Sequence, residues 1–250
     1  MRKNRSFEAF DPCLEHSHTF TTTITFKMRV LILGATGPIG IALCHEILSS
    51  IQDSSLVLFV RSPQKVPNDL SSSSRVSVIT GQLTDVASLA EAMEGVDAVC
   101  SALGPSVKKG PFHPSGEPLA HAYKNVIDAM KKHGIKRLFA IGTASIPAPE
   151  DKSDIKFTAL VTAVSTFART AYKDMVAIGE TISKQDDLSW IIVRVPLLND
   201  KPNRDVIAGF IGDGKVHTGL SRIGFAVFVV AQLSDPDSIW IKKTPMICNP

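Results

Sequence analysis

The 250-residue sequence has no Cys-x-x-Cys pair, no window of about 18 uninterrupted apolar residues and no strong charge of either sign. Each absence removes a class of protein. Cys13, Cys44, Cys100 and Cys248 are scattered, and Cys44 and Cys100 sit inside apolar runs. They read as reduced core thiols in a reducing, cytoplasmic setting rather than as a disulfide framework. His16 and His18 are close in sequence but have no evident third ligand, so no metal is expected. Phe157 to Phe167 is the most apolar candidate for a membrane span, yet it is short and ringed by Lys156, Arg169 and Lys173. A net charge of +3, dispersed along the chain, suggests neither nucleic acid nor a polyanionic surface as partner. With 44% hydrophobic and 20% charged residues, and no internal repeat or linker, the composition describes one globular domain with a full core. The expected partner is a small-molecule substrate; nothing in the chain speaks to oligomeric state.

Residues 1 to 27 differ from the rest of the chain. They are polar, Thr-rich and without period, and Arg2, Lys3 and Arg5 lead into no apolar stretch of the kind a secretory signal needs. Glu8, Asp11 and Glu15 argue against a mitochondrial presequence. The segment reads as a disordered extension, with the domain proper spanning 28–250.

What the sequence does contain is Met28-Arg-Val-Leu-Ile-Leu-Gly-Ala-Thr-Gly-Pro-Ile-Gly40. Val30 to Leu33 is an apolar run of strand length, ended by Gly34. Ile39, Leu43, Ile47 and Ile51 then recur at helical spacing. Strand, glycine turn and helix make a phosphate cradle. Gly34 permits the turn, Gly37 lets a pyrophosphate approach the backbone, and Gly40 lets helix and strand pack closely, while free N–H groups of the first helical turn face the anion.

Ser55 to Val60 reads as a buried second strand ending in Arg61. NAD-binding folds carry an acidic residue at this point for the ribose 2′-hydroxyl, and a cation there suits a 2′-phosphate instead. Arg61, with Lys65 four residues on, therefore favours NADP(H) over NAD; the alternative is a surface residue at a strand end. Further strands are expected at Val76–Thr80, Ala98–Ala102, Arg137–Ile141 and Trp190–Val193. Helices are expected after the caps Thr84 and Asp85, over Leu119 to Met130 with Lys131, Lys132, His133 and Gly134 closing it, over Val164–Lys184, and over Phe225 to Leu233. Alternating strands and helices predict an α/β fold, a doubly wound Rossmann-type parallel sheet in a single domain. The last fifty residues are expected to form a small C-terminal substrate-side cap. Gly104 to Gly116 comes after a strand end and is a candidate wall of the site; its Lys108, Lys109 and His113 read as solvated loop charges, the alternative being contact with an anionic ligand.

The glycine run, Val60-Arg61-Ser62, Gly81-Gln-Leu-Thr-Asp85, Gly95-Val-Asp-Ala-Val99, Ala129 to Lys136, Ile192 to Pro196 and Leu220 to Ala226 together resemble the atypical short-chain dehydrogenase/reductases of the NmrA-like group, including the flavin/biliverdin reductase type. The carboxyl half is also similar to small fungal secondary-metabolism oxidoreductases. The resemblance implies that Gly34, Thr36, Gly37, Pro38, Ile39 and Arg61 hold the dinucleotide, with Leu83 by the adenine and Ala102, Leu103 and Gly104 by the nicotinamide ribose. Thr143 falls where such reductases carry a Ser near the nicotinamide.

Two departures stand out. Gln82 replaces a frequent Asp, and the Tyr-x-x-x-Lys pattern of the wider superfamily is incomplete, because Tyr172 is followed four residues later by Val176. In the full pattern the Lys lowers the phenol's pKa; an unaided phenol, with pKa near 10, is a poor base at neutral pH. Tyr172 reads equally as a catalyst or a pocket-lining residue, Thr143 and Ser145 as hydrogen-bond donors to a carbonyl or as turn residues, and Glu180 as a surface carboxylate. The leading expectation is an NADPH-dependent oxidoreductase acting on a small aromatic, quinone-like or other carbonyl compound. A non-catalytic NADP-binding redox sensor and a non-redox isomerase or cyclase are the alternatives, since fold alone does not separate them.

Overall fold

The computed structural model describes residues 28–105 and 112–250. The expectations for residues 1–27 and for Lys108 and Lys109 lie outside the described residues. Apolar runs become strands and amphipathic runs become helices in strict alternation through the first half. The order is β1 (Met28–Leu33), α1 (Pro38–Ser50), β2 (Ser54–Val60), α2 (Asn68–Ser71), β3 (Val76–Thr80), α3 (Val86–Ala92), β4 (Ala98–Ser101), α4 (Pro118–Lys132) and β5 (Arg137–Thr143). The second half holds α5 (Ile155–Phe167), α6 (Arg169–Ser183), β6 (Ser189–Val195), β7 (Leu197–Asn199), β8 (Ile207–Gly209), β9 (Gly219–Ser221), α7 (Arg222–Ser234) and β10 (Met246–Cys248).

The sheet runs β3-β2-β1-β4-β5-β6-β10-β8, parallel throughout except for the β10–β8 pair, and β7 pairs separately with β9. This is the doubly wound order in which β1 and β4 flank the point where the winding reverses. The six expected strands are those of the sheet's first six positions. All seven residues of β2 are buried, which only a strand covered on both faces requires. One apolar layer lies between the sheet and α1 with α7, the other between the sheet and α3, α4 and α6. Cys44 and Cys100 lie in the first layer as free thiols, and burial pushes the Cys44 thiol up to about 12, far from the reactive range.

The single helix expected over Val164–Lys184 is two helices. α5 begins nine residues earlier, on the Asp154 side chain, which accepts a hydrogen bond from the Phe157 N–H at 3.0 Å. The chain breaks at Ala168, whose φ of −133° and ψ of 49° are not helical. No proline or glycine marks that break, and the Thr- and Val-rich composition of α5 weakens its helical signal. The last fifty residues brace the substrate side rather than forming its wall: β9 supports β7, and Ile211 and Val216 pack with Phe157 of α5.

Two buried polar clusters join elements distant in sequence. Arg194 of β6 has no exposed surface. It donates to both carboxylate oxygens of Asp151, at 2.6 and 2.8 Å, and to the carbonyls of Ile146 and Thr244. Asp151 also accepts from the backbone N–H groups of Ala148 and Ile211. Asp174 of α6, equally buried, accepts from the N–H groups of Leu119 and Ala120 and caps α4, whose own N-cap residue Glu117 offers no side-chain bond.

Burial by itself would raise the Asp151 carboxyl. The Arg194 guanidinium and the two N–H donors overcome that effect, and the carboxyl titrates below its ordinary value. A folded pKa below the unfolded value of about 3.9 stabilises fully above that value, and the contribution disappears as pH falls through the folded pKa. Asp151→Asn leaves a buried guanidinium without its counter-charge and should cost about 3–5 kcal/mol in urea unfolding at pH 7. The deficit should shrink as pH falls below about 4; a pH-independent difference would show that the pair does not carry this charge.

Candidate active site

The turn after β1 is set by two glycines that the protein itself requires. Gly34 has φ of +81°, a conformation that side chains rarely adopt. A Cβ on Gly40 would come within 2.7 Å of the Gly34 carbonyl carbon and 2.9 Å of the Ala35 Cα, both backbone atoms that cannot yield. Gly37 is different. Its φ of −89° and ψ of 157° suit any residue, and a Cβ there would meet only the Gly34 oxygen, at an ordinary 3.5 Å. Nothing inside the chain demands a glycine at this position. It is the N-cap of α1, which has no side-chain cap and carries Pro38 in its first turn, so the N–H groups of Ile39 and Gly40 have no intrahelical partner. A bare backbone, unpaired N–H groups and a helix dipole together make a seat for a phosphate group.

From this seat a cleft runs along the carboxyl edge, lined by Gly34, Thr36, Arg61, Gln82, Leu83 and Leu103 among others. Arg61 is exposed at the end of β2 and also borders the adjoining hollow with Ser62, Thr80 and Asp85. The side chain of Asn125 donates to the Leu83 carbonyl at 2.9 Å and holds that loop against α4. The hydroxyl of Tyr123, fully buried, bonds to the Ser101 hydroxyl at 2.7 Å and to the Leu103 carbonyl at 3.1 Å. Burial raises the Tyr123 phenol well above its usual value, so it serves as a fixed strut for the strand end. Lys65 closes the turn Pro63–Lys65, is exposed, and is not part of the cleft wall. Ala102 abuts Gly34 by its backbone, and Gly104 lies against Met175, where a Cβ would be 3.2 Å from the thioether methyl.

Beyond Leu103 and Gly104 lies a second cavity of about 180 Å³. Thr143, Ser145 and Tyr172 line it together with Leu160, Val161 and Val164 of α5, Met175 of α6, Pro105 and the Val195–Leu197 strand end. Thr143 and Tyr172, 29 residues apart, are thus brought to one pocket. The Thr143 Oγ1 accepts from the Ser145 N–H at 3.3 Å, which leaves its own proton to donate. Lys173 is exposed and does not border the pocket, and Val176 stands where the lysine of the full pattern would be. Glu180 lies on the surface, 3.7 Å from Lys184. His113 is not a solvated loop charge: it is buried, with Nε2 2.8 Å from the Asp174 carboxylate. That pair fastens His113 to α6. Among the described residues no three His, Cys, Asp or Glu are placed to hold a metal, and no helix is long and apolar enough to cross a membrane.

The family model described as NAD(P)H-binding matches residues 34–236. The chain belongs to this NAD(P)H-binding family. No curated protein matches by sequence. A Rossmann-fold NAD(P)-binding family protein from Shigella flexneri superposes with a TM-score of 0.62 at 25% identity, covering 90% of this chain and 94% of that one. A short-chain dehydrogenase/reductase of the wide type from Veillonella parvula, solved in complex with NADP, gives 0.70 at 17% identity over 89% and 95%. An anaerobillin reductase from Escherichia coli O157:H7 gives 0.65 at 17% identity over 89% and 98%. Internal packing leaves a glycine at Gly37 unexplained, and in dinucleotide-binding folds the glycine at this point of the turn leaves room for the pyrophosphate.

The two glycines therefore separate by experiment. Gly37→Val should keep the wild-type circular dichroism and melting temperature while losing NADPH and NADH binding. Gly40→Val should fail to fold or melt far earlier. Retained dinucleotide affinity in the folded Gly37→Val protein would place the phosphates elsewhere.

Proposed function

We propose that this protein is an NADPH-dependent reductase of a small carbonyl compound. The observation that carries this reading is the junction of two unlike spaces along one sheet edge. A phosphate seat and cleft end in the cation Arg61 on one side; on the other, an apolar pocket presents the three hydroxyls of Thr143, Ser145 and Tyr172. The strip Leu103–Pro105 lies between them, so a dinucleotide with its 2′-phosphate at Arg61 would extend over this strip and bring its nicotinamide to the hydroxyl pocket. The Veillonella protein solved with NADP and the reductase from Escherichia coli support that direction.

Bound NADPH supplies a hydride to the carbonyl carbon, and a proton from water completes the alcohol, leaving NADP⁺. The chain's own contribution is placement and polarisation. Thr143 and Tyr172 donate hydrogen bonds to the carbonyl oxygen, where negative charge develops as the hydride arrives. Gly34, Thr36, Gly37, Pro38 and Ile39 form the seat, Leu83 borders the adenine end, and Leu103 with its neighbours Ala102 and Gly104 borders the nicotinamide end. Lys65 is assigned no contact with the bound cofactor. No lysine, histidine or carboxylate lines the hydroxyl pocket among the described residues. An acceptor that needs only hydrogen bonding, rather than a side-chain acid near neutral pH, suits this lining best. The same feature favours the second reading, a redox sensor that binds NADP(H) without turnover.

Arg61→Ala should raise the Kd for NADPH about 10- to 100-fold and leave that for NADH nearly unchanged, since only NADPH carries the phosphate. Equal weakening of both would defeat the assignment. Given a turned-over carbonyl acceptor, Tyr172→Phe and Thr143→Ala should each lower kcat by about ten-fold or more with the NADPH Kd unchanged. Tight NADPH binding with no oxidation by any quinone, flavin or aldehyde tested would favour the sensor.

A further inference from the structure

The hydroxyl pocket has one chemical property that the cofactor does not explain: among the described residues none of its lining side chains is charged. The nearest buried cation along the chain, Arg194, precedes the lining residues Val195 to Leu197. Four of its five N–H donors are committed to Asp151 and to the Ile146 and Thr244 carbonyls, its charge is matched by Asp151, and it does not line the pocket. A carboxylate or sulfonate entering the pocket would lose water and gain no counter-ion from the described lining, a heavy cost for a charged group. The opposite wall is α5, with Leu160, Val161 and Val164 turned to the pocket. α5 is lightly embedded: of its thirteen residues only Phe157 is buried, in the small cluster with Ile211 and Val216. The wall is thus fixed at its start and free of core packing where it faces the ligand. A space of about 180 Å³ is below the roughly 300–1,000 Å³ of sites for drug-sized ligands.

Resting on the reductase reading, we propose that the pocket admits uncharged, compact ring compounds whose carbonyl meets Thr143, Ser145 and Tyr172, and that α5 sets this selectivity through Val161 and its neighbours. Charge discrimination is then a property of one helix face rather than of the cofactor cleft. Because Val161 is only partly buried on a lightly packed helix, a lysine can replace it without opening the core.

The test is calorimetric titration of the full chain, preloaded with NADP⁺, with naphthoquinone and with naphthoquinone sulfonate. Wild type should bind the neutral quinone at least about ten-fold more tightly than the sulfonate. Val161→Lys should narrow or reverse that ratio by about ten-fold, with melting temperature and NADP⁺ affinity unchanged. A wild-type protein that binds the sulfonate as tightly as the neutral quinone, or binds neither up to the solubility limit, overturns the charge rule. An unchanged ratio in Val161→Lys overturns the role of α5. Failure of the preloading step strikes the NADPH reading instead; the two quinones are then titrated without cofactor, and the same ratios decide this proposal.

Discussion

The nucleotide half of the molecule depends on how closely α1 approaches the end of β1. The helix must start within four residues of the strand and pack back onto the sheet, and it does so with the Gly40 α-carbon almost against the Gly34 carbonyl. No side chain fits between them. This contact fixes the direction of the helix axis and hence of its N-terminal N–H groups, and it places Gly34 against the backbone of Ala102 at the end of β4. The phosphate seat, the cleft and the strip leading to the second pocket are consequences of that one close approach. Gly37 is the exception: internal geometry would accept a side chain there, so the glycine is not demanded by the fold itself.

The other half is organised by buried charge. Arg194 and Asp151 draw together the end of β6, the loop after β5, residue 211 and residue 244, and so set where Thr143, Ser145 and Pro196 stand. Asp174 plays a similar part between α6 and α4 and also receives His113. Such pairs contribute little by replacement with apolar groups but cost heavily when broken, which makes them positional devices more than sources of stability. The outcome is a pocket whose polar side chains, among the described residues, are all neutral hydroxyls, with the Arg194–Asp151 pair that shapes it outside its lining.

The parts of this architecture legible in the sequence are those made by neighbours in the chain. Val30 to Leu33 and Leu56 to Val60 are continuous apolar runs, and their burial on both faces is what such runs imply, while Val76 to Thr80, at the edge of the sheet, is only half-buried. The three-glycine turn and the Asp85 cap are likewise local. Where long-range contacts decide, the sequence is mute. The Asp174 cap lies 54 residues from the N–H it serves at Ala120, and no spacing rule connects them. His113 reads as solvated because its partner is 61 residues away. The break at Ala168 carries no glycine or proline, so periodicity runs α5 and α6 together and hides the wall of the pocket. The strands β7 to β10, each of three residues, are too short for a period to appear. Tyr123 is within reach of sequence reasoning, since it continues the buried face of Leu119, Val126 and Met130 at helical spacing.

The proposed function turns on a dinucleotide held at the glycine turn and distinguished at Arg61. The most direct measurement is a fluorescence titration of the purified full-length protein with NADPH and with NADH under identical salt. The expected result is saturable binding of both, with NADPH tighter by about ten-fold or more, the worth of one charge-assisted contact to the 2′-phosphate. Equal affinities would contradict the role of Arg61, and absence of binding by either would contradict the seat itself.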